Sequence, residues 1–236
     1  MIITLSTPDI PAPTNPFVGY WGKRAFLGDF SKVPVVASLS ATFVRCVFGA
    51  REDYLAAIAH LRNYYGKSGH QPIQLSELYR CVTRFEACIT AMYLAVRSMQ
   101  ALRKCPDLVP REREALCASR PKPGFLGAGA QVIGNLRNRI QHVEEELATG
   151  RLDGDLATMI YPTGTEVPFE DGINQSQTLM TIDRLRVYDS EVSFAQIATW
   201  LQEMISYVEK LHDLMPIEYT STRGMIFKDS LAPPSS

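Results

Sequence analysis

Apolar residues recur at steps of three and four along several stretches of the chain, which is the spacing of amphipathic α-helices. The most regular stretch starts after Pro72 and stops at Pro106, with apolar side chains at positions 75, 78, 82, 85, 89, 92, 96 and 99. Residues 32–65 keep the same spacing and predict one helix, or two that meet at Gly49. One face of each predicted helix must pack against another helix.

Two further long helices complete the predicted bundle. In residues 125–150, positions 132, 133, 136, 140, 143 and 147 form a helical seam. The last helix, residues 193–215, begins with a capping box formed by Ser193 and Gln196. Between prolines, residues 111–120 predict one or two charged helical turns. The pattern therefore predicts an all-α fold, a bundle of four to five main helices.

The remaining segments predict little helix. Residues 153–190 change to a period of two around the turn signal at residues 162–164, which predicts a small β-hairpin inserted before the last helix. Residues 1–17 are rich in Pro, Thr and Ser and predict an extended arm, and residues 218–236 predict a frayed tail. We expect residues 1–236 to form a single domain.

The composition supports this expectation and limits the classes of function that the protein can have. The chain has 236 residues, of which 46% are hydrophobic, so it can bury a sizeable core. Its net charge of -1 excludes a protein that coats nucleic acid through bulk charge, so binding of RNA would need a local basic patch.

The cellular compartment is predicted from the cysteines and the N-terminus. The five cysteines are odd in number and lack CxxC spacing, which predicts reduced thiols. The prolines of residues 1–17 exclude a signal peptide, and the most apolar stretch, residues 33–50, is interrupted by Arg45 and too short to span a membrane. We therefore expect a cytoplasmic protein that makes no contact with a membrane.

No metal or cofactor is predicted from the sequence. The four histidines, His60, His70, His142 and His212, are scattered, and none stands in HExxH or another ligand spacing. Glycine-rich loops of the P-loop or dinucleotide-binding type are absent from the sequence.

One stretch, the segment RNRIQH at residues 137–142 of the fourth predicted helix, is typical of a functional site rather than of a packed core. At about 100° per residue, Arg137 stands on the flank of the apolar seam, whereas Asn138, Gln141 and His142 fall on the far side. That far side also carries Gly134 and is polar but almost uncharged.

The pattern of Arg137, Asn138 and His142, RNxxxH within RxxxxH, resembles the signature of the HEPN superfamily. This resemblance implies a small all-α domain that is often a dimeric, metal-independent endoribonuclease of toxin, antiviral-defence or RNA-processing systems. His142 would then act as general acid or base, Arg137 would stabilise charge on the phosphate, and Asn138 would orient the imidazole or hold a phosphate. Alternatively, these residues are structural polar groups of a helix surface.

The resemblance also suggests supporting residues. Gln141 shares the face of the motif. Glu86 stands close to the apolar seam of the second long helix, and an ion pair with Arg137 would explain why a carboxylate occurs there. The alternative for Glu86 is a carboxylate in water. Glu144 replaces the tyrosine that becomes adenylylated in some HEPN toxins, which argues against modification by AMP here.

A stripe of small and neutral residues on the motif helix predicts a homodimer. Gly127, Ala130 and Gly134 continue into Asn138 and Gln141 opposite the apolar seam. Because glycine inside a helix costs roughly 1 kcal/mol relative to alanine, repeated small residues suggest that another backbone comes close. A two-fold dimer would supply two copies of His142 to one cleft. Alternatively, the small residues seat another segment of the same chain.

These observations lead to two alternative functions. The first is a metal-independent HEPN-type endoribonuclease of a toxin or antiviral-defence system, which cleaves RNA at a dimer-interface cleft and has an antitoxin or defence-system partner. The second is a non-catalytic HEPN-like module that binds a partner protein or a nucleotide.

Overall fold

A computed structural model of the chain describes residues 2–11, 16–66, 75–118, 122–149, 160–171 and 175–215. The predicted tail, residues 218–236, and the first part of the predicted insertion, residues 153–159, lie outside the described residues. The elements, in chain order, are β1 (Ile2–Leu5), α1 (Pro16–Leu27), α2 (Pro34–Gly66), α3 (Leu75–Lys104), α4 (Pro110–Cys117), a 3-10 turn (Gly124–Leu126), α5 (Ala128–Ala148), β2 (Ile160–Asp171), β3 (Gln175–Val187), β4 (Ser190–Ser193) and α6 (Phe194–Leu214).

The two longest helices, α2 and α3, pack against each other in antiparallel orientation. Asp53 pairs with Arg84 at 2.8 Å and His60 pairs with Glu77 at 2.8 Å, so positions that rise along α2 fall along α3. Helix α2 runs unbroken through Gly49, because buried side chains on both sides of this position, from Val36 to Leu61, hold it against the core. A single helix therefore forms where the sequence allowed either one or two.

Helix α6 forms the centre of the core. Its first residue, Phe194, stacks on Phe85 of α3 with ring centroids 5.2 Å apart. The predicted capping box is confirmed, since the Ser193 hydroxyl accepts a hydrogen bond from the backbone N–H of Gln196 at 3.1 Å and the Gln196 side chain accepts one from the backbone N–H of Ser193 at 3.0 Å. This cap fixes where α6 begins.

Helix α6 also fixes the start of the motif helix, α5. The Glu203 carboxylate accepts hydrogen bonds from the backbone N–H groups of Gly124 at 3.1 Å and Phe125 at 3.0 Å. The Phe125 ring packs edge-on against Tyr207 with centroids 5.6 Å apart. The entry of α5 is thus bound to α6 both by charge-assisted hydrogen bonds and by apolar packing.

A four-stranded sheet corrects the prediction of an all-α fold, although the main part of the described chain is helical as expected. Strands β2 and β3 form the predicted hairpin, with a register shift between Thr163 and Gly164. Strand β1 pairs in parallel with β3, and β4 pairs antiparallel with it. Because β2 pairs along the whole of β3, β1 and β4 share the opposite edge of that strand.

The N-terminal segment is more structured than the predicted arm. Residues 2–5 are extended but belong to the sheet as β1, and Pro16 already begins helix α1, which the sequence pattern did not indicate. Helix α1 packs on the end of α6, where the Lys23 ammonium donates to the carbonyl of His212 at 3.4 Å. Among the described helices, none combines the length and the apolar character needed to cross a membrane.

Candidate functional site

The motif residues lie on the outward side of α5. Asn138, Gln141 and His142 are exposed, whereas Ile133 and Leu136 are buried in the core. Arg137 is half-buried at the border between these two faces, as the helical pattern predicted. Asn138 and His142 are four residues apart and share one stripe of the helix, so their side chains lie on the same side of α5.

Arg137 packs on an aromatic ring of the neighbouring helix. The Arg137 guanidinium carbon lies 4.9 Å from the centroid of the Tyr93 ring on α3, which is the geometry of a cation–π contact. One terminal nitrogen, Nη1, donates to the Asn138 side-chain oxygen at 3.4 Å, whereas Nε is buried and has no hydrogen-bond partner. The guanidinium is therefore held in place mainly by Tyr93.

The predicted ion pair between Glu86 and Arg137 is not formed, because Tyr93 occupies the side of α3 that meets Arg137. Glu86 is half-buried, and burial raises the pKa of its carboxyl group. Tyr93 follows Glu86 by seven residues, so both share one stripe of α3 but lie about 10 Å apart along its axis. The sequence therefore predicted the correct side of α3 but the wrong residue on it as the neighbour of Arg137.

Helices α3 and α5 run antiparallel, which places Glu86 closer to the far end of the motif. Arg103, near the end of α3, reaches Tyr207, the residue that also contacts Phe125 just before α5. Ten residues earlier on α3, Tyr93 meets Arg137. Continuing this antiparallel register toward the start of α3 brings Glu86 level with residues 141–144 rather than with Arg137.

The small residues of the predicted stripe contact the chain's own helices in part. A β-carbon at Gly134 would lie 3.9 Å from the Tyr93 ring, and Ala130 packs against the core. Gly127 is exposed. The fully exposed and uncharged part of α5 is instead a neighbouring stripe that contains Gln131, Asn135 and Asn138.

A tight turn of the sheet lies against the other flank of α5. Asp189, in the turn between β3 and β4, forms an ion pair with Arg139 at 3.2 Å. Its neighbour Tyr188 has a φ of 58°, a left-handed conformation that costs a non-glycine residue about 1–2 kcal/mol. The ion pair ties this strained turn to the helix that carries the motif.

The later part of α3 and the first part of α5 carry cations but no acidic residue. Residues 87–104 and 128–142 contain no Asp or Glu, although the whole chain has 25 acidic residues. The same two segments contain five cations, namely Arg97, Arg103, Lys104, Arg137 and Arg139. Of these, Arg139 is paired with Asp189 and Arg103 is bonded to Tyr207 and to the Cys117 carbonyl, so Arg97, Lys104 and Arg137 are the cations without an acidic partner among the described residues. Tyr93, Arg97 and Lys104 were not identified from the sequence, although the run without acidic residues was a visible signal.

A second polar cluster joins the far ends of α2 and α3. The Glu77 carboxylate, largely buried, pairs with His60 at 2.8 Å and Arg80 at 3.0 Å and accepts a hydrogen bond from Asn63 at 3.4 Å. The hydrogen bond with His60 lowers the pKa of Glu77. Because every oxygen of this carboxylate is used between the two helices, we interpret the cluster as a structural tie.

Other chemical groups of the described chain do not form a competing site. All five cysteines are free thiols, and burial raises the pKa of Cys81 to about 12. Across the ranges that the structure covers, no three His, Cys, Asp or Glu side chains are grouped so that they could hold a metal ion.

Comparison of the chain with protein-family models, with curated proteins and with solved structures finds no match. The main helical character of the predicted fold is confirmed by the structure, whereas the HEPN arrangement remains a prediction that rests on Arg137, Asn138 and His142.

Proposed function

We propose that the protein is a metal-independent endoribonuclease of HEPN type, with a role in a toxin or antiviral-defence system. One observation carries the proposal: Arg137, Asn138 and His142 lie on or beside the exposed face of α5, and the neighbouring helix α3 adds the exposed cations Arg97 and Lys104. Cations attract the phosphates of RNA, and the His142 imidazole can take up or donate a proton.

In the proposed reaction, the ribose 2′-oxygen attacks the adjacent phosphorus and the bond from phosphorus to the 5′-oxygen breaks. His142 takes the proton of the 2′-hydroxyl or donates one to the leaving 5′-oxygen, and the products are a 2′,3′-cyclic phosphate and a 5′-hydroxyl. Arg137 stabilises the negative charge that builds up on the phosphate oxygens. Its contact with Tyr93 fixes the guanidinium before the substrate arrives. Asn138, and beside it Gln141, hold the phosphate or orient the imidazole.

The decisive experiment is incubation of the purified protein with mixed RNA in EDTA, followed by analysis of the RNA ends. We expect cyclic phosphate ends with the wild type and their loss in His142→Ala. Gln202→Ala, an exposed change on α6 away from the motif and from the exposed face of α5, serves as the control and should cleave like the wild type. Cleavage that requires Mg²⁺, or that persists in His142→Ala, would refute this mechanism.

The proposal includes a homodimer across the outward face of α5. A single chain offers one His142, whereas separate acid and base steps use two, and a two-fold axis would bring both copies to one cleft. The exposed stripe with Gln131, Asn135 and Asn138 is uncharged, which suits contact with its own copy.

Light scattering tests the dimer. Gln131→Lys places like charges opposite each other across the two-fold axis and should weaken the dimer, whereas Gln202→Lys, an exposed glutamine on α6, should not. These glutamines are better probes than Gly134→Leu, because the atoms beyond the β-carbon of a leucine at this position would press on the Tyr93 ring of the same chain. A monomeric wild type at micromolar concentration would exclude the dimer.

The alternative is a non-catalytic HEPN-like module that binds a partner protein, such as an antitoxin or another defence protein, or a nucleotide. The packing of Arg137 on Tyr93, without a carboxylate to orient the guanidinium, favours it. Wild-type protein that cleaves no RNA at any concentration, with or without a divalent cation, would support this module over the enzyme.

A further inference from the structure

The outward face of α1 is apolar. Its residues follow one another at steps of three and four, and at about 100° per residue they turn away from the buried side chain of Tyr20. Val18 is 64% exposed and Phe26 is 79% exposed. A β-carbon built on Gly22 meets no described atom within 4 Å, so the described chain leaves this face uncovered. The outward face of α1 consists of Val18, Trp21, Gly22, Ala25 and Phe26.

An exposed ring of α2 extends this face. Phe48 is 45% exposed and packs edge-on against Phe17, the residue before Val18, with ring centroids 5.3 Å apart. The apolar surface therefore continues from the start of α1 onto α2. Exposed apolar patches with a polar or charged border mark sites of interaction with a protein or a membrane.

The segment that carries this surface, residues 16–51, is basic. It contains five cations and one carboxylate, which gives a net charge of +4, whereas the whole chain has a net charge of -1. Two of the cations are neutralised, because Arg24 pairs with Asp29 at 2.9 Å and Arg51 pairs with Glu52 at 2.6 Å.

The other three cations, Lys23, Lys32 and Arg45, have no acidic partner among the described residues and border the apolar surface. Lys23 precedes Phe26 by three residues and Arg45 precedes Phe48 by three residues, so each lies next to an exposed ring on its helix. Lys32 is exposed in the connection between α1 and α2. Uncompensated positive charge therefore surrounds the exposed rings.

We propose that the outward face of α1 binds the surface of an anionic lipid bilayer. Trp21 and Phe26 enter the boundary between the head groups and the acyl chains, where aromatic rings are favoured, and the three cations contact the acidic head groups. The uncompensated charges have one sign, which suits a uniformly negative membrane better than a protein of mixed charge. The outward side of a single surface helix is convex, so it meets a flat bilayer along its length.

An interfacial helix needs no spanning segment. The lack of such a segment, from which we expected no contact with a membrane, therefore does not oppose this binding. Binding to lipid is also independent of the proposed cleavage of RNA.

Flotation of the full chain with vesicles of phosphatidylcholine containing about 30% phosphatidylserine, compared with vesicles of phosphatidylcholine alone, tests the proposal. We expect binding to the anionic vesicles. Val18→Ser combined with Phe26→Ser removes exposed apolar side chains and should weaken this binding by at least about tenfold. The matched control combines Tyr79→Ser with Val109→Ser, two exposed apolar side chains outside α1 and α2, and should bind like the wild type.

A second pair of variants tests the charges. Each cation near an anionic surface strengthens binding about fivefold at low salt, so Lys32→Gln combined with Arg45→Gln should weaken it about thirtyfold. Arg97→Gln combined with Lys122→Gln removes two exposed cations outside α1 and α2 and should leave binding unchanged. Both variants lose the same net charge.

Trp21 reports insertion directly, because the other tryptophan of the chain, Trp200, is buried. Bromine-labelled acyl chains in the anionic vesicles should quench its fluorescence. Absence of binding to the anionic vesicles at low salt, or equal weakening in a test variant and its control, would overturn the proposal. A wild-type oligomer that binds no vesicle and dissociates when Val18 and Phe26 are replaced would also overturn it, and would assign the face to a second copy of the chain.

Discussion

The entry of the motif helix depends on the absence of a side chain at Gly129. A β-carbon at this position would lie 2.7 Å from the carbonyl oxygen of Gly124 and 2.8 Å from two atoms of the Trp200 ring. Neither contact can be relieved by a small rotation, because one partner is backbone and Trp200 is itself buried. Gly129→Ala must therefore push the first turn of α5 away from α6 or displace the Trp200 ring.

The expected cost follows from two opposing effects. Overpacking of this kind costs typically about 1–3 kcal/mol, whereas alanine in place of glycine favours a helix by up to about 1 kcal/mol. Gly129 is the second residue of α5, so alanine there contributes only part of this gain in helix propensity. We expect Gly129→Ala to lower the free energy of unfolding by about 1–2 kcal/mol.

Gly134→Ala is the matched control for this prediction. It lies five residues further along the same helix, and its β-carbon would meet only the Tyr93 ring, at an ordinary contact distance of 3.9 Å. This variant should gain about 0.5–1 kcal/mol. Urea unfolding followed by far-ultraviolet circular dichroism measures both, with an unchanged slope expected. A Gly129→Ala protein as stable as the wild type would refute the proposed contact with Trp200.

Two further changes test the contacts around the site. Glu203→Ala leaves the N–H groups of Gly124 and Phe125 without their acceptor and should destabilise the protein by about 1–3 kcal/mol in the same urea assay. An unchanged unfolding midpoint would contradict the role of Glu203 in holding the start of α5. Because burial raises the pKa of Glu86, the folded protein loses stability as pH rises from the ordinary range for glutamate through the raised value. Glu86→Gln should thus raise the melting temperature at pH 7 and leave it unchanged at pH 4. If the variant melts no higher than the wild type at pH 7, burial of the charged Glu86 carboxylate does not destabilise the protein.

The helices were predictable because their stability comes from amphipathic faces that a local pattern records. The seams of α3, α5 and α6 predicted their cores, and the cap at Ser193 predicted the start of α6 within one residue. Gly49 suggested a break because its local cost counts against a helix, but packing on both of its sides outweighs that cost.

Strand β1 and helix α1 were not predictable in the same way. β1 is four residues long and pairs with residues 179–182, so its strand conformation depends on a partner 177 positions away in the chain. Helix α1 has aromatic residues on two sides, since Tyr20 is buried while Phe26 is exposed, and it therefore lacks the one-sided pattern that identifies a surface helix.

The contact between Arg137 and Tyr93 illustrates which feature of a site could not be predicted from the sequence. Residues seven apart share a stripe of a helix, so the pattern places Glu86 and Tyr93 on the same side of α3 but does not say which of them lies opposite Arg137. That register is set elsewhere, where Glu203 and Trp200 fix the start of α5. The structure places the aromatic ring beside Arg137, and the arginine forms no ion pair within the described chain. No described side chain therefore neutralises its positive charge, which is what the proposed contact with a phosphate requires.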